Sequence, residues 1–144
     1  MKLTKTSKFG CRRNEMGLPS SPKTELLTNR LIKTLKKIDP IVHIEREKYI
    51  RNGVSGYAFC FKDVYAEEKN GDTWGFEIKT HIGDITHSEH GKNCDSCNYN
   101  YFVVSPDCFY HIVKYLEEND LDHVGVIVGN RYWLDMMIEA TRIE

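Results

Sequence analysis

Residues 63–80, DVYAEEKNGDTWGFEIKT, are the part of the chain that decides the fold. The central letters KNGD are typical of a hairpin turn, and the segments on either side predict two antiparallel strands. A two-residue loop would pair Asp63 with Ile78. A three-residue loop that ends at a left-handed Gly71 would instead pair Asp63 with Glu77.

Glu77 and Lys79 are predicted to share one face of their strand, because alternate strand residues point the same way. With the three-residue loop, the Asp63 and Glu77 carboxylates would lie roughly 5 Å apart. Two carboxylates at that distance repel each other unless a cation lies between them, and oxygen ligands favour Mg²⁺ or Mn²⁺. Such a metal polarises a phosphate and acidifies a bound water, while Lys79 would orient that water or offset developing charge. The pattern predicts a hydrolase of phosphodiester bonds with Asp63, Glu77 and Lys79 as catalytic residues; a solvated surface hairpin is the alternative.

The segments around the hairpin predict a mixed α/β protein. Ser21 and Pro22 start a helix with apolar residues at helical spacing, and Asp39-Pro40 ends it. The other predicted elements are strands over 41–50, 57–65, 73–80, 101–104 and 124–128, and a helix from a cap at Asp107 to about Glu118. Residues after 131 fit either a strand or a helix. This order predicts a mixed central β-sheet flanked by helices.

The motif resembles that of the PD-(D/E)XK nuclease superfamily. Asp63 matches the motif aspartate and Glu77-Ile78-Lys79 matches (D/E)XK, although Lys62 stands where the superfamily often has proline. The match is closest to the MmcB-like DNA repair branch and related small phage proteins. It extends over residues 21–130 through three further features: Asp84, the tyrosine-rich segment 98–104 and the GVIV segment at 125–128.

The resemblance implies a restriction-endonuclease-like αβββαβ core and a Mg²⁺- or Mn²⁺-dependent nuclease that hydrolyses DNA phosphodiester bonds. By the same resemblance, the metal is bound by Asp63, Glu77 and the backbone carbonyl of Ile78. Glu25 on the first helix occupies a place comparable to that of a further metal ligand in many members.

Charge is unevenly distributed along the chain. Residues 1–37 contain ten Lys/Arg and two acidic residues, whereas residues 38–144 contain ten Lys/Arg and nineteen acidic residues. We predict a basic flexible arm over residues 1–20, followed by a single nuclease-like domain over 21–144. Arg12 and Arg13 in the arm are candidate phosphate contacts, and a solvated tail is the alternative.

The composition argues against several classes of protein. The chain is 40% hydrophobic and 28% charged, as expected for a globular protein. It has no apolar run of membrane-spanning length and no signal-peptide pattern, so we expect an intracellular protein. The resemblance implies the cytoplasm of a bacterial or phage-infected cell. Five cysteines are an odd number, which argues against a disulfide framework.

The polar segment 81–98 holds further candidate residues. His81 and Lys92 are candidate nucleic-acid contacts. The segment also contains the residue types of a zinc site: His87, His90, Cys94 and Cys97. The spacing of the two cysteines is common in one half of a zinc knuckle, whereas the spacing of the histidines matches no known finger. A polar active-site loop with incidental thiols is the alternative.

Two functional classes remain open. The first is the nuclease, with DNA as its partner. The second is a non-catalytic nucleic-acid or protein-binding module on the same fold, stabilised by zinc if segment 87–97 binds it. A homodimer would suit a small nuclease that cuts both strands.

Overall fold

Within the residues that the computed structural model describes (21–51, 59–86 and 96–144), six strands form one mixed sheet. In chain order the elements are α1 (Pro22–Leu35), β1 (Ile41–Arg51), β2 (Phe59–Glu68), β3 (Thr73–Lys79), α2 (Ile82–Thr86), β4 (Tyr99–Val104), a 3-10 turn (Pro106–Cys108), α3 (Phe109–Glu118), β5 (Gly125–Gly129) and β6 (Leu134–Ile138). The strands lie side by side in sequence order. The β3–β4 and β4–β5 pairs are parallel, and the other pairs are antiparallel.

Helices cover both faces of the sheet. On one face, α1 packs its buried leucines against alternate strand residues, which include Val64, Phe76 and Ile78. On the other face, α2 and α3 cover the residues in between: Phe102, Val104, Val126 and Val128. The predicted mixed α/β fold with flanking helices is therefore confirmed.

The start of α1 follows the predicted capping chemistry. Ser21 is the N-cap, and its hydroxyl oxygen accepts a hydrogen bond from the Thr24 N–H at 3.2 Å, with Pro22 next in the first turn. The regular helix ends at Leu35, four residues before the predicted stop at Asp39. The chain continues as a tighter turn there, in which the Ile38 N–H donates to the Leu35 carbonyl at 3.1 Å.

The β2–β3 hairpin has the three-residue connection. The Glu68 N–H donates to the Asp72 carbonyl at 2.9 Å, and the Gly71 N–H donates to the Glu68 carbonyl at 3.0 Å. Gly71 has φ +94°, a region that glycine adopts without a Cβ clash. The resulting register pairs Val64 with Phe76, so the predicted loop length and the left-handed Gly71 are confirmed.

Two local predictions need correction. Asp107 is not the cap of α3: it lies inside the 3-10 turn, where its carboxylate accepts a hydrogen bond from the Ser105 hydroxyl at 2.7 Å. The strand predicted over 57–65 corresponds to β2. It extends to Glu68, because its pairing with β3 continues up to the hairpin turn. The ambiguous C-terminal segment forms the edge strand β6, and the polar segment after β3 begins with the short helix α2.

Candidate functional site

A polar cleft of about 400 Å³ opens beside the end of β3. Its walls come from α1, β1, β2, β3 and α2 and consist of Ser21, Thr24, Thr28, Arg46, Glu47, Asp63, Ile78, Lys79, His81 and Asp84. Four residues of the predicted site therefore line one cleft: Asp63, Ile78, Lys79 and His81.

Asp63 and Glu77 interact where β2 and β3 separate. The ladder between the two strands ends at Val64 and Phe76. Beyond it, the Ile78 N–H donates to the Asp63 carboxylate at 2.8 Å, and the Asp63 N–H donates to the Glu77 carboxylate. The two carboxylates occupy the gap between the strands, and they do not form the regular cross-strand pair that the sequence predicts.

Burial disfavours the charged forms of both carboxylates. Glu77 is 6% exposed, and its burial, followed by the Asp63 charge, raises its pKa to about 8. Burial also raises the pKa of Asp63, against the opposing influence of the Lys79 ammonium. Two oxygen donors in this environment fit a hard divalent cation, which would neutralise both. Of the two carboxylates, Asp63 is among the residues that line the cleft and Glu77 is not.

Lys79 and Ile78 are fixed by pairing on the other side of β3. Ile78 pairs with Val103 and Lys79 with Val104 of β4, and the Lys79 carbonyl accepts a hydrogen bond from the Ser105 N–H at 3.3 Å. The Lys79 side chain is partly exposed and lines the cleft. The Ile78 side chain packs under α1, and the role of its carbonyl as a metal ligand stays a prediction.

Glu25 is engaged elsewhere. Its two carboxylate oxygens accept hydrogen bonds from the Arg46 guanidinium at 3.1 and 3.0 Å, and Glu25 is not among the residues that line the cleft. The structure therefore does not add Glu25 to the Asp63–Glu77 pair. Arg46, which the sequence did not indicate, carries positive charge to the cleft wall instead.

His81 lines the cleft from just beyond the end of β3. The strand ends at Lys79, so His81 lies in the turn before α2, where strand alternation no longer applies. Its Nε2 is 3.3 Å from the Ser21 hydroxyl at the start of α1. The same junction is tied by a 2.7 Å hydrogen bond between the Thr24 and Thr80 hydroxyls.

The sequence analysis missed two carboxylates of the cleft wall. Asp84 lies on α2, and the sequence indicates no role for it. Glu47 has φ +53° in the middle of β1, and the β1–β2 ladder skips Glu47 and Asp63 between two regular pairs. No turn residue marks Glu47, so the sequence held no signal for this irregularity.

The sequence analysis also missed Lys62. Its side chain is 1% exposed, and it is among the largest fully buried side chains of the described residues. The sequence gives no signal of this burial, because a lysine in a strand is expected at the surface.

Several predicted residues lie outside the described part of the chain: Arg12, Arg13, His87, His90, Lys92 and Cys94. Of the proposed zinc ligands only Cys97 is described, and its thiol is buried. Among residues 21–51, 59–86 and 96–144, no group of three or more His, Cys, Asp or Glu side chains is placed to bind a metal. No helix in these same ranges is long and apolar enough to cross a membrane.

Comparison with known proteins supports the fold alone. No family model and no curated protein matches the chain. The chain is similar to a solved structure, the SPO1766 protein of unknown function from Silicibacter pomeroyi, with 15% sequence identity and a TM-score of 0.60. The match covers 88% of this chain and 77% of the other, so most of the α/β architecture is shared between two distant sequences.

Proposed function

We propose that this protein is a metal-dependent nuclease that hydrolyses DNA phosphodiester bonds. The observation that carries the proposal is the grouping of the Asp63 and Glu77 carboxylates in the gap between β2 and β3, with Lys79 in the adjoining cleft wall. Perturbed, buried acids beside a cleft are a common feature of catalytic sites. The order of α1, three antiparallel strands, a parallel β4 and the crossover helix α3 supports a restriction-endonuclease-like core as part of the same proposal.

Each group has a distinct task in this proposal. Asp63 and Glu77 would hold Mg²⁺ or Mn²⁺, which when bound supplies a polarised phosphate and an acidified water. The Lys79 ammonium orients the attacking water or stabilises the negative charge that develops on the phosphate. Ser21 and His81 offer polar atoms that could hold a phosphate oxygen at the entrance of the cleft.

Cleavage of DNA by the purified full-length protein tests the proposal. Supercoiled plasmid and single-stranded oligonucleotide would be incubated with Mg²⁺, with Mn²⁺ or with EDTA. We expect cleavage only with metal, and at least a ~100-fold loss for Asp63→Asn, whose amide oxygen can still accept the Ile78 hydrogen bond. The matched control is Asp122→Asn, on the exposed turn before β5, which should cleave as the wild type does. Cleavage by Asp63→Asn at the wild-type rate would overturn the assignment.

A protein-binding module is the second candidate, and the surface around β6 favours it. Four large apolar side chains are 40% or more exposed there: Tyr132, Trp133, Met136 and Met137. Exposed apolar groups at a sheet edge are a common feature of protein interfaces. Retention of a binding partner by the full chain, with no cleavage in any metal, would favour this candidate.

A further inference from the structure

Lys62 is buried beside a glycine that makes room for it. A Cβ placed on Gly75 would lie 2.7 Å from Lys62 Cε and 2.9 Å from Lys62 Cδ, so the lysine side chain crosses β3 where Gly75 has no side chain. The thiol of Cys97 closes the same space at 2.9 Å from that position. Lys62 can therefore adopt this position only because residue 75 is a glycine.

This position brings the Lys62 charge to Glu77. Gly75 and Glu77 are two residues apart on β3 and point to the same face, so a side chain that crosses Gly75 runs beside Glu77. Val64, two residues after Lys62, instead packs under α1 on the opposite face. The alternation of β2 thus breaks at Asp63, and the break directs Lys62 behind the carboxylates.

The two lysines of the site lie in different surroundings. Burial and the Asp63 charge raise the pKa of Glu77, and the nearby charges of Lys62 and Lys79 lower it. Burial raises the pKa of Asp63, and the same two lysines act against that rise. Lys79 lines the cleft, whereas Lys62 is not among the residues of its walls.

We propose that Lys62 is a positioning residue of this site, whose buried ammonium holds the Glu77 carboxylate in place for the cation and leaves Lys79 to act in the cleft. The inference rests on the proposed function for the metal and on the Gly75–Lys62 packing for the geometry. A buried ammonium is costly unless it has a charged partner, which is the physical reason to look for a role.

Mn²⁺ binding to the full chain, measured by calorimetry, is the first test. Lys62→Met should weaken Mn²⁺ binding by about 10- to 100-fold, as expected when a group that orients a ligand is lost. Gly75→Ala, which displaces the ammonium without removing it, should weaken binding in the same direction. Lys48→Met is the matched control, because Lys48 is the partner of Lys62 on β1 but pairs with Glu45 away from the cleft, and it should bind as the wild type does. Unchanged or tighter binding by Lys62→Met would overturn the proposal.

A double-mutant cycle without metal tests the pairing independently of nuclease function. The Tm change caused by Lys62→Met is measured at about pH 9 in EDTA, once in the wild type and once in Glu77→Gln. We expect this change to be more destabilising in the wild type, by about 3 °C or more, because only there does Lys62 lose a charged partner. Equal shifts in the two backgrounds would mean that Lys62 only fills space, and failure of both Lys62 variants to fold would mean that it is needed for the fold itself. Either result would overturn the proposal. Absence of Mn²⁺ binding by every protein, the wild type included, would instead refute the metal site itself.

Discussion

Replacing Glu77 with glutamine should make the metal-free protein more stable, and more so at high pH. Glutamine keeps the size of the side chain and removes its charge. Burial and the Asp63 charge raise the pKa of Glu77 from 4.5 to about 8, so the folded protein holds this proton more tightly than the unfolded chain does. The contribution of Glu77 to wild-type stability is therefore most favourable below pH 4.5, falls as the pH rises towards 8, and is constant above that.

The size of the effect follows from the displacement of the pKa. One pKa unit corresponds to about 1.4 kcal/mol, so ionisation of Glu77 costs the folded state at most about 5 kcal/mol above pH 8. Glu77→Gln should gain most of that amount at about pH 9 and almost nothing at about pH 4.5. Bound Mg²⁺ should stabilise the wild type at high pH and have little effect on the variant, because one of the two carboxylates is missing.

Urea unfolding in EDTA, followed by tryptophan fluorescence between about pH 5 and about pH 9, measures the difference at each pH. Because the wild type and Glu77→Gln are compared at the same pH, the effects of all other titrating groups on the free energy of unfolding cancel in the difference. Glu117→Gln on the exposed side of α3 is the control and should show no pH-dependent gain. A difference that does not change with pH, or a wild type that is more stable than Glu77→Gln at about pH 9, would refute the electrostatic argument.

Three further predictions concern the lysine, the arm and the turn. Lys79→Ala should lower the cleavage rate by about 10²- to 10⁴-fold while Mn²⁺ binding is largely kept; loss of Mn²⁺ binding would make Lys79 structural. Deletion of residues 1–20 should flatten the dependence of log affinity for DNA on log salt, and an unchanged slope would show that the arm contacts no phosphate. Gly71→Ala should lower the free energy of unfolding by about 1 kcal/mol in urea, since alanine is strained at φ +94°; an unaffected stability would contradict the left-handed turn.

The hairpin could be predicted from the sequence because its determinants are local. The turn needs a residue that tolerates positive φ, and Gly71 supplies it three residues after Glu68. Once the loop length is fixed, side-chain alternation fixes the register over the pairs that end at Val64 and Phe76. The cap of α1 at Ser21 was predictable for the same reason.

The detailed geometry of the site was not predictable, since it depends on departures from regular pairing. Alternation places Lys62 on the same face as Val64, whereas the structure places it over Gly75. The left-handed Glu47 lies opposite this break, and an isolated glutamate in a strand gives no sign of it. The engagement of Glu25 by Arg46 is likewise a tertiary contact that neither residue's neighbours in the sequence indicate.

The position of the site follows from the different pairing of β3 on its two sides. Its last three residues, Glu77 to Lys79, remain paired with β4, whereas the ladder with β2 stops at Phe76. The strand end is thus held rigidly from one side and open on the other. An open strand edge leaves backbone donors without a ladder partner, and the Asp63 carboxylate accepts one of them from Ile78. Asp63 is therefore fixed by the same gap that makes room for it, and it lines the cleft next to Glu77, which stays buried.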